Sequence, residues 1–259
     1  MAEYMDRGIE TVSPALWIPT IWIFIAASRP LAAWFVSVSG SISLSDVEDG
    51  SFIDRLIFSI LILLGIVALK RRGIVLSTLV MDNKWLILFL MYAIISISWS
   101  DFRYIAFKRL IRIIGSVIMV LIVVTDHSPD ATKILLRRCA FLLIPLSVIM
   151  IKYFRHIGVG YNAWTGIEYW QGVTTDKNAL GRLCSVCALA GIWDLSTSMR
   201  ERVASEANYA LLLLHISVLF LTLWLMIASK SATSLGCFII AIGLDHRFGH
   251  SRDMGTKII

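Results

Sequence analysis

The strongest constraint in this sequence is that its apolar residues come in long blocks instead of at helical or strand spacing. Eight blocks, at residues 15–35, 56–69, 85–99, 110–124, 138–153, 179–195, 209–227 and 228–244, take up most of the chain. A hydrocarbon layer about 30 Å thick asks about 20 apolar residues of a helix, and in lipid the backbone must satisfy its own hydrogen bonds. Such blocks therefore read as transmembrane helices. The composition agrees, with 58% hydrophobic and 16% charged residues and a mean hydropathy of +0.78, where a soluble domain carries about 25% charged residues. An ordinary water-soluble fold is excluded. The expectation is an all-α, polytopic transmembrane bundle of about seven to eight helices, forming a single membrane domain over 1–244 with a short polar cytoplasmic tail at 245–259. The count has a range because Pro19 and Pro30 interrupt the first block, and only the tight turn Ser229-Lys230-Ser231 separates the last two.

Orientation follows from lysine and arginine in the short loops. With the amino terminus in the cytoplasm, thirteen basic residues fall inside and eleven outside. The margin is narrow, but the first external loop is acidic (Asp46, Glu48, Asp49, Asp54), and Lys70-Arg71-Arg72 forms a compact inner stop. Nine of the external basic residues gather at 100–112, 152–182 and Lys230, where the topology rule disfavours them. Snorkelling to headgroups is one explanation. A phosphate-bearing lipid ligand is the other, since guanidinium and ammonium groups are the usual partners of phosphate. The formal net charge of +6 thus reports topology and lipid contact, and no nucleic acid is expected as a partner.

Cys139, Cys184, Cys187 and Cys237 all lie in or beside apolar blocks, so the Cys-x-x-Cys at 184–187 reads as buried small hydrophobes and not as a redox or metal motif. No cleaved signal peptide is read at the amino terminus, because no small-residue cleavage site follows the first apolar run. His246 and His250 share a helical i, i+4 spacing but have no third ligand nearby, so no metal is expected, nor any cofactor.

Residues 152–178 form the longest loop on the expected outer side and contain Tyr153, Phe154, Tyr161, Trp164, Tyr169 and Trp170. Tyrosine and tryptophan favour the water–lipid interface, and their faces also stack on sugar rings, so the composition admits both anchoring and saccharide handling. At its end, Thr174-Thr175-Asp176-Lys177-Asn178 precedes an apolar run. Threonine and aspartate are good N-cap residues, which predicts a helix start where free N–H groups and Lys177 favour an anion.

These residues resemble a family. Trp99-Ser100-Asp101 ends one block, Ala106 and Arg109 open the next, and Trp164-Thr165-Gly166 lies in the aromatic loop. Gly172-Val173-Thr174-Thr175-Asp176-Lys177-Asn178-Ala179-Leu180-Gly181 matches a glycine-x-x-x-x-lysine-asparagine-x-x-glycine signature, and Ser229-Lys230-Ser231-Ala232-Thr233-Ser234 a basic, small, hydroxyl-rich turn. In this order they are similar to the bacterial O-antigen ligase and polymerase superfamily, especially its branch of ExoQ-like exopolysaccharide production proteins, over about residues 85–244.

The resemblance implies a multi-pass protein of the bacterial inner membrane that transfers or polymerises glycan from an undecaprenyl diphosphate carrier at the periplasmic face. Its acceptor would be a saccharide or lipid A core. Displacing sugar from a diphosphate leaves two negative phosphates, which fixed cations stabilise without a metal. On this reading Arg109 and Lys177 contact the diphosphate, with Arg112 and Lys230 beside them. Asn178 hydrogen-bonds sugar or phosphate, and Trp164 and Trp170 offer stacking faces. Family members continue past the region of Leu244 into a large loop bearing a histidine thought to activate the acceptor, so the resemblance also implies that this chain lacks the family's C-terminal part and is inactive alone. Arg155 and Val159 stand where proline and a further arginine are usual. Catalytic residues are otherwise unknown, Glu168 being the one carboxylate in the loop not better read as a cap. Two alternatives remain open at this point: a transporter of a polyprenyl-linked or anionic solute, and a non-catalytic carrier-binding assembly subunit.

Overall fold

A computed structural model describes residues 13–30, 52–73, 83–126, 128–162, 164–202 and 209–255. Asp46, Glu48 and Asp49 of the acidic loop, and 31–35 of the first apolar block, lie outside the described residues. The described residues are mostly helical, with nine α-helices. They are α1 (Trp17–Ala27), α2 (Phe52–Arg71), α3 (Lys84–Ser96), α4 (Arg103–Val124), α5 (Ala131–Tyr153), α6 (Arg155–Gly158), α7 (Lys177–Arg202), α8 (Tyr209–Ala228) and α9 (Ala232–Gly255).

Each of the eight apolar blocks has described residues on a helix, and among the described residues three helical stretches are long and apolar enough to cross a membrane: Phe52–Arg71, Ala131–Tyr153 and Lys177–Ser196. Two of the others fall short for visible reasons. At 1.5 Å per residue the 11 residues of α1 reach only about half the hydrocarbon thickness, and the first half of α4 carries Arg103, Lys108, Arg109 and Arg112. The described residues are mostly helical, as expected; the aromatic loop adds a small antiparallel hairpin of β1 (Val159–Tyr161) and β2 (Glu168–Trp170), with Gly160 opposite Tyr169. At the other end, α9 continues through the polar residues 245–255 to Gly255. The side chains of His246 and His250 lie outside the described residues.

The chain divides into two compact units, residues 1–25 with 30–132, and residues 26–29 with 133–259. In the first, α1, α2 and α4 enclose Trp22, Ile25, Leu61, Met119 and Ile122, and Trp22 meets Phe58 edge-on at 4.7 Å between ring centroids. One polar knot closes this unit. Arg72 donates to the Ile122 carbonyl at 2.7 Å, to Thr125 Oγ1 at 3.2 Å and to Ser13 Oγ at 3.1 Å, and pairs with Asp126 at 2.6 Å. The knot thereby occupies one of the carbonyls that a helix C-terminus leaves without an intrahelical partner.

In the second unit, α5, α7, α8 and α9 surround Ile144, Leu180, Cys184, Ala188, Leu225 and Phe238. Cys139, Cys184 and Cys187 are buried free thiols. The hairpin joins α5 to α7 by way of α6, and its last bonds fold the chain back sharply. Gln171 N–H and Gly172 N–H both donate to the Gly158 carbonyl at 3.0 Å, while Gln171 Nε2 donates to the Ile157 carbonyl at 3.1 Å.

Candidate functional site

The site is built from the turn entering α7 and the turn between α8 and α9, both in the second unit. The glycines of the 172–181 signature have structural causes. Gly172 has φ +55°, and a Cβ there would stand 2.8 Å from Ser147 Cβ; a side chain would be strained and obstructed. Gly181 lets α7 approach the second turn so closely that a Cβ would lie 2.6 Å from Ser234 Oγ and 2.8 Å from Ser231 Cβ.

Between the glycines the chain organises a helix start. Thr174 is buried and donates to the Gln171 carbonyl from its N–H at 2.9 Å and from its hydroxyl at 2.7 Å, the hydroxyl also lying 3.0 Å from the Asp176 carbonyl. Asp176 is the N-cap, with Oδ1 accepting from Asn178 N–H at 2.8 Å and Ala179 N–H at 2.9 Å. The signature's polar pair is left on the surface of this start, Lys177 half-buried and Asn178 exposed.

The second turn arrives from 53 residues further along, Asn178 to Ser231. Lys230 is exposed at φ +53°, the one positive-φ non-glycine residue among those described. Ser231 Oγ donates to Asn178 Oδ1 at 3.2 Å and shares a hydrogen bond of 2.9 Å with Ser234 Oγ. Lys177, Asn178 and Lys230 thus stand on two turns joined by the Asn178–Ser231 bond.

The remaining residues singled out in the sequence occupy other settings. Arg109 is exposed on α4 in the first unit, where the Arg112 guanidinium lies 4.8 Å over the Phe58 ring. Trp164 sits at the hairpin tip, 96% exposed; Asn162 Oδ1 receives its N–H at 2.9 Å and so fixes the tip. Trp170 is instead packed, edge-on to Trp224 at 5.2 Å and against the core, so its face is partly occupied by protein. Glu168 is bound by Arg155, whose Nη2 lies 2.9 Å from each carboxylate oxygen.

Three groups carry no individual signal in the sequence. Ser231 and Ser234 are only part of a hydroxyl-rich run. Arg29 donates from Nε to the Thr174 carbonyl at 2.8 Å and from its N–H to the Val173 carbonyl at 2.9 Å. Burial holds its guanidinium below the ordinary arginine pKa, an effect that the Tyr169 phenol opposes. The third is a carboxylate within an apolar helix. Asp194 Oδ2 on α7 lies 3.3 Å from His215 Nε2 on α8 and 3.8 Å from Arg137 Nη1 on α5, beside a cavity of about 30 Å³. A buried charge requires partners, and His215 and Arg137 are among those of Asp194.

No family model, curated protein or solved structure matches the chain.

Proposed function

We propose that this chain is a multi-pass protein of the bacterial inner membrane, acting in cell-surface polysaccharide assembly, whose outer face holds an undecaprenyl diphosphate-linked glycan. One observation carries the reading: the segments 172–181 and 229–234, two of the motifs that resemble the O-antigen ligase and polymerase superfamily, meet through Asn178–Ser231 and Gly181–Ser234. Two lysines on adjoining turns, with hydroxyls and a carboxamide between them, supply the charges and donors that a diphosphate recognises. Transfer of the glycan to a saccharide or lipid A acceptor would leave negative charge on the diphosphate, and the same lysines would stabilise it.

A second reading, a carrier-binding subunit without transfer of its own, is favoured by the state of Glu168. Its two oxygens face Arg155, and an acceptor hydroxyl needs a base within hydrogen-bond reach. The test common to both is binding of undecaprenyl diphosphate to the full chain in nanodiscs. Lys177→Ala and Lys230→Ala should each weaken binding by roughly 1.5–3 kcal/mol, the range for hydrogen bonds to charged groups, while Arg71→Ala should not. Equal binding by all three overturns the carrier site. Restoration of surface glycan by this chain in a strain lacking its own ligase or polymerase decides for transfer; carrier binding without restoration decides for the subunit.

A further inference from the structure

We propose that the cavity between α5, α7 and α8 is a binding site for an ordered water, which joins the Arg137 guanidinium to the buried carboxylate of Asp194. The cavity has about 30 Å³, and one water asks for at least roughly 10–15 Å³. Dry cavities in proteins are lined by apolar groups; this wall carries Arg137, Asp194, His215 and Thr222. The spacing of the charges points the same way. Arg137 Nη1 stands 3.8 Å from Asp194 Oδ2, beyond the roughly 2.7–3.2 Å of a direct hydrogen bond, and a polar contact at such a distance is the kind that a water bridges. His215 Nε2 approaches the same oxygen at 3.3 Å, its ring held edge-on to Phe141 at 5.3 Å between centroids. The remaining polar group sets the orientation of the water. Thr222 is buried and its hydroxyl donates to the Val218 carbonyl at 2.7 Å, so its oxygen is left to accept. A water that accepts from Arg137 and donates to Asp194 has its second hydrogen for Thr222 Oγ1. It gives the buried anion a hydrogen bond that the guanidinium stands too far away to make, and it ties three helices through one molecule.

The site is independent of the carrier reading, since Asp194 lies about 25 Å along α7 from Lys177 at 1.5 Å per residue. It is tested by solid-state NMR on the full chain in lipid bilayers, following the transfer of magnetisation from water to the histidine ring nitrogens. The His215 resonance is identified by its loss in His215→Asn. Transfer to His215 should run within about twofold of that to His156, which is exposed, because an ordered water stands in the cavity that the ring lines. Ala140→Leu, which fills the cavity from α5, should slow the transfer about fivefold, and Thr222→Val, which removes the accepting oxygen at nearly the same volume, about twofold. Where Ala140→Leu fails to fold, Gly191→Ala, whose added carbon would meet Leu219 Cδ1 at 3.3 Å, is measured in its place. Slow transfer to His215 in the unaltered chain means a dry cavity and overturns the site. Fast transfer that persists in the filled variant places the water elsewhere and overturns it equally. Slowing in the filled variant with no change in Thr222→Val overturns the orientation assigned to the water.

Discussion

Arg72 Nη2 lies 2.6 Å from Asp126 Oδ2, with the two side chains only 11% and 1% exposed. One member of the Lys70-Arg71-Arg72 stop is therefore turned into the protein, where it serves as a counter-ion as well as a charge beside the bilayer. Removing one partner of a buried pair leaves an uncompensated charge, which costs about 3–5 kcal/mol, whereas replacing both with apolar groups costs far less. Asp126→Leu should lower unfolding stability in micelles by that amount, and Arg72→Met added to it should recover most of the loss. Additive losses would show that the two residues are not energetically coupled.

The close approach at Gly181 makes a sharp prediction about packing. Alanine there would place a methyl carbon 2.6 Å from Ser234 Oγ, and overpacking of this kind costs roughly 1–3 kcal/mol. Combining Gly181→Ala with Ser234→Gly should restore part of the stability, measured by the same unfolding titration. If the double variant is no better than the single one, the contact is not where the strain arises.

Asp176 caps α7 through two backbone N–H groups. Its replacement by alanine should cost about 0.5–2 kcal/mol, while Asp176→Ser, which keeps an acceptor oxygen, should cost less. Circular dichroism melting of the full chain in micelles would rank the three proteins. Identical melting would remove the cap from the account of the helix start.

The proposed orientation is open to chemical labelling. Single cysteines replacing Trp164 and Lys84, both exposed, in a background lacking the native four, should respond differently to a membrane-impermeant thiol reagent. Position 164 should react in intact cells and position 84 only after lysis. The opposite pattern would reverse the topology and remove the site from the outer face.

What the sequence discloses here is what repeats or what lies close by along the chain. The apolar blocks become helices because burial of backbone polar groups leaves little else open to them, and Asp176 is legible as a cap because the signal and the bond are two to three residues apart. The hairpin is less legible, since β1 and β2 have three residues each, too few for alternation to emerge from an aromatic loop. Arg29 is illegible for another reason. Its partner Thr174 is 145 residues away, and no periodicity encodes a side chain meeting a distant carbonyl. The extension of α9 through residues 245–255 is equally unmarked, because a polar sequence says nothing against helix once a preceding apolar turn has nucleated it.

Lys230 sets two pressures against each other. Its left-handed backbone is one that glycine adopts freely and a lysine holds at a penalty of about 1–2 kcal/mol. Directed evolution for heat resistance alone should drift to glycine at this codon, whereas enrichment for carrier retention should keep the lysine. The residue that wins in each regime reads out, from a single turn, whether the molecule spends its stability on a ligand.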